Sequence, residues 1–243
     1  PLRNVSLRCV GEEVFTLDPP VGNYHNRIVT EITLAEDKVK EVILRSTISI
    51  ENDTPTAIYI GIGSNYDGNF AIDRQVVIPG GARRALPIDY VYGGALVVRP
   101  DTSSEIFGWS KAFTKESHDI TEFNWRNIRE NDLFLECSAT DPKRNNSYFF
   151  KVHSESHNDV LNKYYPCMNV VISPPFVFEN LLPYDIDWKV FQLKHEKWGS
   201  FLKRGTKVPV HVLNINETSI LKIDVLGSSF GPSQPAIINS AIA

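Results

Sequence analysis

Apolar and polar residues alternate along much of this chain in stretches of strand length. Ile48-Ser-Ile50-Glu51, Ile58-Tyr-Ile60 and Ile186-Asp-Trp188-Lys-Val190 place an apolar side chain at every second position. That is the period of a strand with one buried face. Clusters of Gly, Pro, Asn and Asp separate the runs, as they do in sandwiches and barrels. The pattern predicts strands over 5–10, 28–34, 41–51, 57–63, 71–78 and 95–99. A second set is predicted over 133–138, 148–153, 169–179, 185–193, 199–202, 208–213 and 220–226. Asp67-Gly68 suits a tight hairpin turn, because glycine accepts positive φ. Pro174-Pro175 opens a strand, where a missing N–H costs least.

The two sets repeat one another. At an offset of 128 residues, Ile48-Ser-Ile50-Glu51-Asn52 with Pro55 falls on Phe176-Val-Phe178-Glu179-Asn180 with Pro183. The same offset puts Val5-Ser-Leu7-Arg-Cys9 on Leu133-Phe-Leu135-Glu-Cys137, and Val42-Ile43-Leu44 on Val170-Val171-Ile172. With a few residues deleted, Val77-Ile78 and Gly81 meet Phe201-Leu202 and Gly205, and Ser110 meets Ser233. An ordered series of this kind marks an internal duplication. The expected fold is all-β, with two tandem antiparallel β-sandwich-like modules at 1–118 and 119–243, joined at the polar stretch 115–121. A repeat can be cut elsewhere. Cuts at Ile43 and Val171 leave partial modules at both ends, whereas the cut at 118/119 leaves no orphan segment. Asn52 and Asn180 end strands shortly before a proline and are expected to staple the turn by bonding nearby backbone.

Composition agrees with a sheet protein. There are 22 Val, 22 Ile and 12 Thr against 17 Leu and 11 Ala, a bias toward side chains that pack on pleated surfaces. The net charge of −4 offers nothing to nucleic acid. Apolar runs such as Val170-Val171-Ile172 fall far short of the roughly 18–20 residues that span a bilayer. A first residue Pro1 and a single Met168 mark the sequence as an expected excerpt of a longer chain. Cys9, Cys137 and Cys167 are odd in number and form no CxxC pair, which favours a reducing, cytoplasmic setting. Sequons stand at Asn4, Asn52, Asn145 and Asn216.

Candidate chemistry is sparse. His153 and His157 have helical ligand spacing but lie in a polar loop stretch without a second ligand pair, so no metal site is expected. Gly61-x-Gly63 fails the dinucleotide spacing, and no Gly-x-Ser-x-Gly elbow occurs. The cysteines sit on or beside apolar strands, as buried thiols do. Neither catalysis nor a cofactor is expected. One basic stretch stands out: Lys189, Lys194, Lys197, Lys203, Arg204 and Lys207 against Glu196. Lys194, Lys197, Lys203, Arg204 and Lys207 form a candidate contact surface for anionic headgroups or an acidic partner. Such charges also keep edge strands apart.

The stretch from Pro174 through Glu179-Asn180 to Pro183-Tyr184 resembles the vacuolar protein sorting 13 family of bridge-like lipid-transfer proteins. Val42–Ser46 running into Ile48–Asn52, and Pro235-Ala-Ile-Ile-Asn239-Ser, carry the same likeness. The similar region is the family's adaptor-binding domain, an array of all-β modules each marked by one Asn, here Asn52 and Asn180. The resemblance implies a non-enzymatic scaffold, cytoplasmic and peripheral at organelle membrane contact sites. It would dock organelle adaptor proteins through short Pro-x-Pro motifs and meet membranes indirectly, through those adaptors. The family's peptide groove is associated with modules toward the end of a longer array, so it falls within these two modules or beyond them. Two other readings remain: an extracellular adhesion-like pair with glycosylated sequons, and a module binding anionic membranes directly.

Overall fold

A computed structural model describes residues 10–20, 25–66, 69–92, 95–103, 106–112, 128, 132–141, 143, 146–156, 164–193 and 195–239. The predicted strand over 5–10, Cys9, the Asp67-Gly68 turn, the joint at 115–121, His157, Asn145 and Lys194 lie outside these residues except for Val10. Among the described residues the elements are strands and one short 3-10 turn, Ile88–Tyr90. The chain is all-β.

The N-terminal strands β1 (Gly11–Thr16), β2 (Arg27–Leu34) and β3 (Lys40–Ser46) form an antiparallel meander. Arg45 on β3 ties it together by bonding Glu12 and Glu31 across the sheet. Arg27 holds the meander to the body of the molecule, donating to the Tyr92 hydroxyl at 2.7 Å and lying 4.3 Å over the Tyr165 ring.

The central body is a two-layer sandwich. One layer is formed by β5 (Ile58–Tyr66), flanked by β6 (Asn69–Ile78) and β8 (Ala95–Pro100). The other contains β4 (Ile48–Asn52), β7 (Arg83–Ala85), β9 (Leu133–Ser138), β10 (Ser147–Ser156) and β11 (Met168–Ser173), in the order β7-β4-β11-β10-β9. Their facing side chains, among them Ile50, Ile60, Val98, Phe150 and Ile172, make one buried cluster. Strand β4 pairs with β7 antiparallel and with β11 parallel, Met168 opposite Ile48 through Ile172 opposite Asn52. Edge strand β7 carries the exposed pair Arg83-Arg84, charges that discourage edge-to-edge association.

The C-terminal body follows. Its strands are β12 (Phe176–Glu179), β13 (Ile186–Gln192), β14 (His195–Leu202), β15 (Lys207–Val210), β16 (Ser219–Val225) and β17 (Ala236–Asn239). They form the sheets β12-β15 and β14-β13-β16-β17. Trp188, Val190, Val210 and Leu213 centre its core, with Phe178 packed 4.4 Å from the Trp188 ring.

The stretches 41–51 and 169–179, each expected as one strand, are each two strands in different sheets. They break at Thr47 and at Pro174-Pro175. The packing also runs across the expected division at 118/119. Strands β4 and β7 share a sheet with β9, β10 and β11, and one core draws on both sides of that line. The physical reason is the parallel β4–β11 ladder, which joins segments 120 residues apart in sequence.

Candidate interaction surface

Asn52 lies at the end of β4, 0% exposed, where the chain leaves the sheet. Its Nδ2 donates to the carbonyls of Thr56 at 2.8 Å and Ile78 at 2.9 Å, and its Oδ1 accepts from the Thr54 amide at 3.1 Å. Asn180 repeats this at the end of β12. Its Nδ2 donates to Tyr184 at 2.9 Å and Leu202 at 3.1 Å, and its Oδ1 accepts from Leu182 at 3.1 Å. In both copies the Asn carbonyl accepts from a glycine amide at 2.8 Å, Gly81 or Gly205. Those glycines have φ of 70° and 68°, a conformation that costs other residues steric strain. Each amide side chain thus uses both of its hydrogens on backbone carbonyls, one in the turn (Thr56 or Tyr184) and one at the last residue of a strand (Ile78 or Leu202). The Asn52 sequon is buried and bonded, which leaves no room for a glycan.

Ser110 and Ser233 form a second repeated device. Ser110 Oγ accepts from Val98 N at 3.1 Å while Ser110 N donates to Val98 O. Ser233 Oγ accepts from Ile223 N at 2.9 Å while Ser233 N donates to Ile223 O. Sequence alignment pairs these serines but assigns them no role.

Of the candidate basic residues, the structure gathers Lys203, Arg204 and Lys207, all exposed, around the turn between β14 and β15. Lys197 belongs to β14, its side chain outside the described set. Acids neighbour this turn. Asp185 Oδ1 accepts from the Arg204 amide at 2.9 Å, and Glu179 stands opposite Lys207 in the β12–β15 ladder. The positive field here is therefore partly offset.

A cleft of about 400 Å³ opens where the central and C-terminal bodies meet. Phe107, Phe149, Trp198 and Val212 supply apolar walls, and Glu136 and Glu217 supply carboxylates. Gln192 is 1% exposed and shapes the rim, its Nε2 donating to Asn214 O and Ser219 Oγ at 2.8 Å each. The Trp198 indole N–H is buried and has no hydrogen-bond partner among the described residues.

Beside the cleft, His211 joins the bodies. Phe149 N donates to His211 O at 2.7 Å, and the ring Nδ1 lies 2.9 Å from Phe149 O. The ring stacks on Tyr148 with centroids 4.3 Å apart. Burial lowers its pKa to about 4, so the imidazole is neutral at neutral pH.

No group of three or more potential metal ligands occurs among the described residues. Burial, with the Glu136 charge as a lesser cause, pushes the Cys137 thiol up to about 12, far from the thiolate a nucleophile needs. No helix among the described residues is long and apolar enough to cross a membrane.

The family model described as Vacuolar-sorting associated protein 13, adaptor binding domain, matches residues 1–243. The intermembrane lipid transfer protein VPS13 of Chaetomium thermophilum is 28% identical over 244 residues, which takes in 100% of this chain and 7% of that protein.

Proposed function

Because this chain belongs to the family of the vacuolar-sorting associated protein 13 adaptor-binding domain, we propose that it is a non-enzymatic docking scaffold for organelle-resident adaptors. In this reading it is a cytoplasmic part of a lipid-transfer protein and helps decide which membrane contact site that protein occupies. Membranes are reached indirectly, through the adaptors. The supporting observation is the cleft between the two bodies. Aromatic walls from Phe107, Phe149 and Trp198, with the polar Asn146, Gln192 and Asn214 beside them, suit an extended Pro-x-Pro segment. Prolines pack on aromatic faces in the polyproline conformation. Direct anionic-membrane binding is the weaker reading, since Asp185 and Glu179 flank the turn bearing Lys203, Arg204 and Lys207. An extracellular adhesion role fits poorly with the buried Asn52 sequon.

The test is fluorescence anisotropy of a labelled Pro-x-Pro adaptor peptide titrated with the whole chain, beside a scrambled peptide. Saturable binding that weakens about tenfold in Trp198→Ala, which removes an aromatic wall of the cleft, is the expected result. Flat curves with folded protein would remove the groove from this cleft and leave these repeats as spacers.

A further inference from the structure

The duplication supplies an internal template for one strand edge that the molecule leaves open. At the 128-residue offset β12 is the counterpart of β4, and β3 is the counterpart of β11. Strand β4 is paired on both sides. Among the described residues β12 pairs with β15 alone and β3 with β2 alone. Backbone groups alternate in direction along a strand. In β4, Ile48 O and Asn52 N bond the β7 side, so Ser49 and Glu51 address β11. In β12, Asn180 N bonds Thr206 O on the β15 side, so the amides of Val177 and Glu179 address the open edge. Val177 is 53% exposed. Phe176 and Phe178 are only half-buried, whereas their counterparts Ile48 and Ile50 are fully buried beneath the completed sheet.

Side chains at the template joint say what fits. Ser49 Oγ donates to Asn169 Oδ1 at 2.9 Å, and Asn169 Nδ2 donates to Glu51 Oε2 at 2.7 Å, pinning the parallel register. The acceptor carboxylate recurs in β12 as the exposed Glu179. On the donor side, however, Asn169 is replaced in β3 by Glu41. A second copy of this chain docking β3 in the template register would set Glu41 opposite Val177 and beside Glu179. Like charges so placed repel.

We propose that the open edge of β12 accepts the third strand of a further β-meander of this repeat type, added in parallel in the β4–β11 register. Glu179 is the selector: it takes a strand with an amide at the Asn169 position and turns away one with an acid, including this chain's own β3.

Glu41→Asn in the whole chain converts its own β3 into a strand of the accepted kind. Sedimentation velocity over a concentration series, with hydrogen exchange resolved at β12, compares it with the unmodified chain. The expected result is head-to-tail association of Glu41→Asn about tenfold tighter than that of the unmodified chain, with slowed exchange at Val177 and Glu179. Adding Val177→Pro removes the outward N–H and should abolish the association. Val177→Pro alone should melt like the unmodified chain, since a proline is tolerated at an open edge. Absence of association in Glu41→Asn, or association without protection of β12, overturns the acceptor edge. Equal association of the unmodified chain overturns the selection by Glu179.

Discussion

His211 couples the stability of this protein to pH through one buried ring. Its folded pKa, about 4 against an ordinary 6.5, is lowered chiefly by burial. The Nδ1 contact to Phe149 O holds the neutral tautomer, and Nε2 has no hydrogen-bond partner among the described residues. Protonation would thus bury a charge with nothing to accept its second N–H. The unfolded chain takes up the proton first, near pH 6.5, and the folded chain only near pH 4. Stability is full above about 6.5 and falls as pH drops through that window. At about 1.4 kcal/mol per pKa unit, the loss reaches roughly 3 kcal/mol below pH 4. His211→Phe keeps a ring against Tyr148 and removes the titration. Urea unfolding from pH 8 to 4 should show this variant about 1 kcal/mol less stable at pH 8, through the lost hydrogen bond. Its curve should then fall more shallowly, by roughly 3 kcal/mol across the window. Parallel curves for the two proteins, or a His211 pKa near 6.5 by NMR, would refute the reasoning.

Asn180→Ala should cost about 1–3 kcal/mol by stranding the carbonyls of Tyr184 and Leu202. Asn180→Asp should do no better, because a carboxylate cannot donate to them. The buried Trp188 supplies a fluorescence probe of that core, and an unchanged midpoint would remove the stapling role. Fragments test where the repeat divides. A piece spanning 1–118 loses β11 from beside β4 and should show no cooperative melt by circular dichroism, while 47–173 retains both layers of the central sandwich and should melt cooperatively. The opposite outcome would favour the boundary at 118/119.

The strands were legible wherever one face is buried and the other wet. In β13 the side chains of Ile186, Trp188, Val190 and Gln192 are buried and those between them are not, so the alternation in the sequence mirrors the sheet. The break at Thr47 was not legible, because apolar residues continue on both sides of it, and Pro174-Pro175 marked a strand start without showing the change of sheet. What divides them is the choice of sheet partner, made by residues 120 positions away. Strand β1, with Glu12 and Glu13 in six residues, and the three-residue β7 carry too little periodic signal to find. The Asn and Ser pairs stood out by alignment, but the carbonyls and amides they bond did not. The cleft has no linear signature: its walls come from Phe107, Phe149, Trp198 and Val212, brought together only when the two bodies pack.

The parallel ladder between β4 and β11 also sets an order of events during synthesis. Ile48 leaves the ribosome 120 residues ahead of its partner Met168, an interval of roughly 6–24 s at about 5–20 residues per second. Throughout that delay one edge of β4 waits unpaired, guarded by Arg83-Arg84 on the other side alone. A nascent array of such repeats is exposed to mispairing one unit at a time, and a neighbour's β11-like strand arriving first could close the wrong sheet.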